Sequence, residues 1–225
     1  MTIDPLRLAI DPLRLAIAIV PVAAYGLLLG LINLRRRPFL TSGGCDLCAL
    51  GLAVSGLMFI GPMELLRPEA ATRSFGNYIW LFLLLFYWLW LVLAVLLSRP
   101  RLVVYNISAE ELHPILAEAA ARLDPGARWA GDQLSLPALR VQLHLDRFDL
   151  MRNVSLVSSG GRQSIDGWRL LLREMSNALR SIRVKSNPRA VGFLLASLTL
   201  LTASIAHLLL HQEDILQAMN QLWAY

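Results

Sequence analysis

Apolar positions run almost without interruption through four stretches of the chain, at about residues 15–34, 45–66, 78–97 and 188–210. Each stretch holds about the 20 residues that a helix needs to cross a bilayer. Between the third and fourth stretches, in residues 99–187, apolar and polar positions alternate at short periods. The pattern predicts an α-helical integral membrane protein with four transmembrane helices and an inserted α+β cytoplasmic domain.

The inserted domain opens with a strand followed by a helix. Leu102–Tyr105 is a short β-branched and aromatic run, which is typical of a strand. Ser108 followed by Glu111 three residues later is the capping-box pattern of a helix start. The Asp124–Gly126 segment supplies turn residues that end this helix.

The rest of the inserted domain predicts strands and a second helix. Short strands are expected around a tight turn at Gly131, along the alternating run 139–145 and at 153–157. Ile165 and Trp168 begin an apolar stripe at helical spacing, which predicts a helix from about residue 164 to 183. The predicted order is β-α-β-β-β-α, or β-α-β-β-β-β-α with a fourth strand before the last helix, and the sheet is expected to be antiparallel with both helices on one face.

Two terminal segments flank these elements. Residues 1–14 form a lead-in with a tandem seven-residue repeat, because Ile3–Ala9 and Ile10–Ala16 are identical. The repeat is either a short duplication or an amphipathic lead-in on the membrane surface. Residues 211–225 predict an amphipathic helix that lies in the membrane interface.

Composition and charge support a membrane protein. Hydrophobic residues make up 56% of the chain, charged residues only 16%, and the formal net charge is +5. The basic residues cluster beside the apolar stretches, so we interpret them as topology signals and expect no nucleic-acid partner. One side of the membrane receives a basic collar made of Arg35, Arg36, Arg37, Arg180, Arg183, Lys185 and Arg189.

This charge asymmetry predicts the orientation. Basic residues accumulate on the cytoplasmic side, which places residues 101–187 inside and both termini outside a cell (inner) membrane. The collar would then attract anionic lipid head groups, so the expected partners are the bilayer and either other subunits or a second copy of the chain.

Both cysteines of the chain lie in one CxxC motif, Cys45-Asp46-Leu47-Cys48, at the start of the second apolar stretch. A CxxC at a helix start has a lowered thiol pKa and can exchange disulfides. The motif beside a span in a four-span protein is similar to the quinone-coupled disulfide-forming membrane oxidoreductases. This resemblance implies a redox pair, although those enzymes use a second cysteine pair that this chain lacks. Small side chains that help a helix to pack are the structural alternative.

Two further groups are candidate binding residues. His207 and His211 are four residues apart on the fourth span, and with Glu64 they could bind zinc or iron. Interfacial contact with head groups is the alternative. Phe86, Trp88 and Trp90 lie within the third span and could line a site for a flat apolar ligand such as a quinone, or contact lipid and neighbouring helices.

No complete set of catalytic residues is evident in the sequence, and we predict no cofactor. The leading hypothesis is a non-enzymatic subunit or scaffold of a membrane complex, whose cytoplasmic domain binds a partner or self-associates. The alternatives are a membrane thiol-disulfide oxidoreductase that uses Cys45 and Cys48, and a metal or quinone redox subunit.

Overall fold

The computed structural model describes residues 12–63, 76, 78–148, 152–161 and 163–212. The predictions for the lead-in 1–11, for Glu64 and for the tail 213–225 lie outside the described residues. The helices are α1 (Pro12–Leu34), α2 (Gly43–Met58), which continues as the π-helical turn Phe59–Met63, α3 (Tyr78–Leu97), α4 (Ala109–Leu123), α5 (Ile165–Arg180) and α6 (Arg189–Leu210). The strands are β1 (Phe39–Ser42), β2 (Arg101–Tyr105), β3 (Arg128–Ala130), β4 (Gln133–Leu136), β5 (Val141–Phe148) and β6 (Asn153–Ser158).

The described chain is mostly helical, and it contains the expected long apolar helices. Four helices, α1, α2 with its π-helical turn, α3 and α6, are long and apolar enough to cross a membrane. Among them, α3 spans Tyr78–Leu97 and α6 begins at Arg189, while the predicted end of the second span at residue 66 lies outside the described residues. The Asn187 side chain accepts a hydrogen bond from the Arg189 N–H at 3.1 Å, so Asn187 caps this helix.

The chain folds as two compact units. Of the described residues, the first unit takes those in 12–28, 49–91 and 193–212, and the second takes those in 29–48 and 92–192. We call the second unit the sheet unit.

Close helix contacts in the first unit depend on glycine. A Cβ atom at Gly56 would overlap the carbonyl oxygen of Ile17, so α1 and α2 touch through their backbones here. A Cβ atom at Gly51 would meet the Leu91 side chain of α3, and the Tyr87 hydroxyl donates a 2.5 Å hydrogen bond to the Gly51 carbonyl. Small residues at helix contacts allow this close approach.

The sheet unit contains a six-stranded sheet in the order β1-β2-β6-β5-β4-β3, and every neighbouring pair is antiparallel. The antiparallel arrangement confirms the prediction. Gly131 has a φ of 61° in the β3–β4 turn, a conformation that glycine adopts without strain. The capping box at Ser108 and Glu111 is formed, and Ser164 caps α5 by accepting from the Gly167 N–H at 3.2 Å.

The main apolar core of the sheet unit lies between one sheet face and the two helices α4 and α5. Alternate side chains of the strands point into it, and its fully buried members include Leu112, Leu143, Leu156, Leu171 and Met175. Trp168 is 5% exposed and belongs to this core, as its position on the helical stripe predicts. Ile165 is 65% exposed, so its placement on the buried stripe is wrong; it is the first residue of α5 and lies beyond the edge of the core.

The sheet contains one strand that the sequence did not predict. The four strands between α4 and α5 lie where short strands are expected, but a further strand, β1, comes from the loop between the first two apolar helices. β1 pairs with β2 over four residues, from Phe39 with Tyr105 to Ser42 with Leu102. The sheet unit is therefore not confined to the predicted domain 99–187.

The ends of the apolar helices are part of the sheet unit. On the sheet face opposite the main core, Val103 and Tyr105 pack with Leu29 and Ile32 near the end of α1. The Asn187 N–H, just before α6, donates to the Asn33 carbonyl at 3.1 Å. These contacts fix the sheet directly to residues 29–34.

Candidate functional site

Four arginines of the basic collar line one cavity of about 460 Å³ in the sheet unit. Arg35, Arg36 and Arg37 follow directly after α1, and Arg183 lies in the segment between α5 and α6. Pro38 and Phe39 complete the lining. We call this cavity the arginine pocket. The remaining collar residues, Arg180, Lys185 and Arg189, are not part of its lining.

Backbone hydrogen bonds hold the two segments of the arginine pocket together. The Val184 N–H donates to the Arg36 carbonyl at 3.0 Å. Asn106 is fully buried with a φ of 60°, and its side-chain amide donates to the Arg35 carbonyl at 2.5 Å. Asparagine tolerates this left-handed conformation better than most residues. The backbone under the arginine side chains is thus fixed by the sheet unit.

A second anchor fixes the other segment of the pocket. Arg152 donates to the Lys185 carbonyl and to the Glu111 carboxylate, each at 2.9 Å. Its side chain is 23% exposed, so the bonds are partly shielded from water. The carbonyl two residues after Arg183 is therefore held against α4.

The pocket arginines differ from several other arginines of the sheet unit in their charge environment. Arg101, Arg122, Arg147, Arg152 and Arg169 each form an ion pair. Within the part of the chain that the structure describes, no carboxylate lies within ion-pair distance of any of the four pocket arginines. The four side chains are exposed and positively charged around one concave surface.

A polar cluster joins the start of α2 to the sheet. Asp46, in the first turn of α2, accepts from the Arg101 guanidinium at 3.1 Å and from the Tyr105 hydroxyl. A Cβ atom at Gly43 would overlap the Arg101 side chain, so glycine is required for this arrangement. Asp46 therefore fixes the start of α2 to β2, and sequence reasoning treated it only as a residue between two cysteines.

The two candidate redox residues lie in the first turns of α2, as predicted. Cys45 and Cys48 are exposed and are not joined in a disulfide. The Cys45 N–H donates to the Ser42 hydroxyl at 3.3 Å, which places this cysteine at the capped start of the helix. The structure thus presents two accessible thiols beside strand β1.

The histidine pair also lies together, in the first unit. The ring centroids of His207 and His211 are 4.5 Å apart, and His211 Nδ1 lies 3.0 Å from the His207 carbonyl oxygen. Glu64, the third proposed ligand, is outside the described residues. Among the residues that are described, no group of three or more histidine, cysteine or acidic side chains could hold a metal ion.

The aromatic candidates lie on the outside of α3 in the first unit. Phe86, Trp88 and Trp90 are 66%, 37% and 60% exposed, whereas Tyr87 and Leu91 between and beside them are buried. Trp88 makes an edge-to-face contact with Tyr87, with ring centroids 5.9 Å apart. Their exposed surfaces suit contact with lipid.

Comparisons with protein-family models, with curated proteins and with solved structures give no match to this chain. Sequence reasoning included the pocket arginines in the collar, but it did not single them out as a site. Arg183 is far from Arg35–Arg37 in sequence, and the backbone bond between Val184 and Arg36 that brings them together has no sequence signature.

Proposed function

We propose that this chain is a multi-pass protein of the cell (inner) membrane and that its sheet unit is a cytoplasmic interaction module. In this proposal the protein is a non-enzymatic subunit or scaffold of a membrane complex. The sheet unit binds another subunit or a second copy of the chain, and both chain termini lie on the outer side.

The observation that carries this proposal is the direct attachment of the sheet to the ends of apolar helices. Strand β1 lies in the loop between α1 and α2, and it pairs with β2. The Asn33–Asn187 backbone bond joins the end of α1 to the segment that precedes α6. The sheet unit therefore includes a loop and helix ends that border the apolar stretches, which suits a scaffold that holds a partner beside the membrane.

The basic residues support the cytoplasmic orientation. Arg35–Arg37 follow the last residue of α1, and Arg189 is the first residue of α6. Basic residues beside spans favour the cytoplasmic side, and they attract the anionic lipids of that leaflet.

The two faces of the sheet have different neighbours among the described residues. Helices α4 and α5 pack on one face, and residues near the end of α1 pack on the other face around β2. Further along, the strand alternation directs Gln142, His144, Asp146 and Phe148 to this second face, which we call the α1 face. Phe148 is 50% exposed, which gives this polar surface an apolar contact point.

The test compares two variants of the full chain in native membranes. Asp146→Lys with Phe148→Ser alters the α1 face without touching the core, and Arg169→Ala on α5 is the control, because its side chain is 71% exposed on the helical side. We expect chemical cross-linking and native gel migration to show a complex that is lost in the α1-face variant and retained in the control. A wild-type chain that runs as a monomer in both assays would contradict the proposal.

The exposed cysteine pair favours a second candidate, a membrane thiol-disulfide oxidoreductase. Both thiols are exposed at the start of a 16-residue helix. Such an enzyme would alternate between dithiol and disulfide with its substrate. Trapping thiols in acid before labelling tests this candidate: a fraction of chains with a Cys45–Cys48 disulfide in growing cells supports it, and a fully reduced pair contradicts it.

A further inference from the structure

The arginine pocket carries a positive charge that no described carboxylate neutralises. Four arginines line its cavity of about 460 Å³, and the described residues supply none of them with a carboxylate partner. Like charges on neighbouring residues repel one another. Repulsion of this kind is relieved when an anion enters the cavity, because each charge then gains an attractive partner. The arrangement therefore favours an anionic ligand.

The pocket is held in shape before any ligand arrives. The Arg36 carbonyl is bonded to the Val184 N–H and the Arg35 carbonyl to the Asn106 amide, so the backbone on both sides of the cavity is fixed. A fixed backbone reduces the entropy that binding would otherwise lose. Only the arginine side chains have to be ordered by the ligand.

The chemistry of the lining indicates phosphate. Guanidinium groups are planar forks that match phosphate oxygens with paired hydrogen bonds. The lining also has an apolar part, made of Pro38 and of Phe39, which is 39% exposed. A free inorganic anion would make no use of this wall, whereas the glycerol and acyl carbons next to a lipid phosphate would pack on it.

The position of the pocket along the chain points to the source of the phosphate. Arg35 follows the last residue of α1, one of the helices long and apolar enough to span a membrane. If α1 crosses the bilayer as proposed above, its end lies at the level of the lipid head groups.

We propose that the arginine pocket binds the phosphate group of an anionic phospholipid, with Arg36 and Arg183 reaching it from opposite segments. This inference rests on the proposed membrane orientation and adds a specific lipid site to it. It differs from general attraction by the basic collar, because only four of the seven collar residues line the pocket.

The test uses the purified full chain in a neutral detergent, titrated with short-chain phosphatidylglycerol and followed by native mass spectrometry. Phosphatidylcholine of the same chain length and inorganic phosphate are titrated in parallel. We expect a retained phosphatidylglycerol, weaker binding of phosphatidylcholine, and weaker binding of inorganic phosphate. Equal binding of both lipids would overturn the proposal, and inorganic phosphate that binds as tightly as the lipid would show a small-anion site instead.

Two double substitutions distinguish lipid binding in the arginine pocket from general electrostatic attraction by the basic collar. Arg36→Gln with Arg183→Gln should weaken phosphatidylglycerol binding at least about tenfold, because hydrogen bonds to charged groups are lost. Arg180→Gln with Lys185→Gln removes the same charge from the collar outside the pocket and should weaken binding less than about threefold. Equal losses in the two variants would mean that only diffuse charge acts, and the proposal would be wrong.

A charge-conserving variant tests whether lipid binding depends on guanidinium geometry as well as on charge. Arg36→Lys with Arg183→Lys keeps the net charge but removes the guanidinium forks, so we expect a loss well beyond that of the collar control. Unchanged affinity in this variant would contradict the assigned geometry. Thermal melting in detergent checks that each variant is folded. The membrane orientation is tested separately by thiol labelling. If the labelling confirms the orientation but the pocket shows no preference for phosphatidylglycerol, the lipid site is wrong and the proposed orientation stands.

Discussion

Trp168→Ala tests whether the core of the sheet unit is the one described. The side chain is 5% exposed and packs among the buried residues of α4, α5 and the sheet. Its indole N–H donates to Gln163 Oε1 at 3.0 Å. Gln163 keeps its bonds to the Gln142 backbone and the Ser159 carbonyl after the change, so the main loss comes from packing and from the cavity left behind.

The expected destabilisation is about 3–5 kcal/mol, the usual cost of removing a buried tryptophan. Trp168→Phe should cost less, about 1–2 kcal/mol, because most of the apolar volume remains and one hydrogen bond is lost. Ile165→Ala on the same helix is the matched control, and we expect a change within about 0.5 kcal/mol because Ile165 is exposed.

Pulse proteolysis of the full chain in mild detergent, over a range of urea concentrations, measures these changes as shifts of the unfolding midpoint. The control variant should unfold at the wild-type midpoint. If Trp168→Ala and Ile165→Ala shift the midpoint equally, Trp168 does not lie in the core and the assigned packing of α5 is wrong.

Two glycine substitutions test the close contacts in the two units. Gly43→Ala should displace the Arg101 side chain and destabilise the sheet unit by about 1–3 kcal/mol, measured by the same proteolysis assay; Gly192→Ala, which meets no atom within 4 Å, should not destabilise it. Gly56→Val should separate α1 from α2, because its side chain would overlap the Ile17 carbonyl, and we expect a lower melting temperature of the purified protein in detergent. Wild-type stability in either Gly43→Ala or Gly56→Val would show that the corresponding backbone approach does not exist.

Local sequence signals predicted the elements that depend on local chemistry. The apolar stretches predicted the long helices, Ser108 with Glu111 predicted the capped start of α4, and Gly131 predicted the β3–β4 turn. Each of these features is decided within a few residues of the chain. Trp168 could be placed in the core for the same reason, since helical spacing alone aligns it with its buried neighbours.

Long-range pairing explains what the sequence did not reveal. Strand β1 has only four residues, and its pairing with β2 is fixed by a partner about sixty residues away. The Asp46–Arg101 ion pair and the arginine pocket depend on the same pairing. The basic collar could be identified from residue types alone. Which collar residues line the arginine pocket depends on the tertiary fold.

The two native cysteines offer the most direct measurement of the proposed orientation. Cys45 and Cys48 are exposed, belong to the sheet unit and follow β1 within a few residues, so they report the side on which the sheet lies. A membrane-impermeant maleimide should leave them unlabelled in intact cells and label them in inverted membrane vesicles, with the thiols reduced as the cytoplasm keeps them. Labelling in intact cells, or an oxidised pair on the outer side, would contradict both the orientation and the role of the sheet unit as a cytoplasmic module.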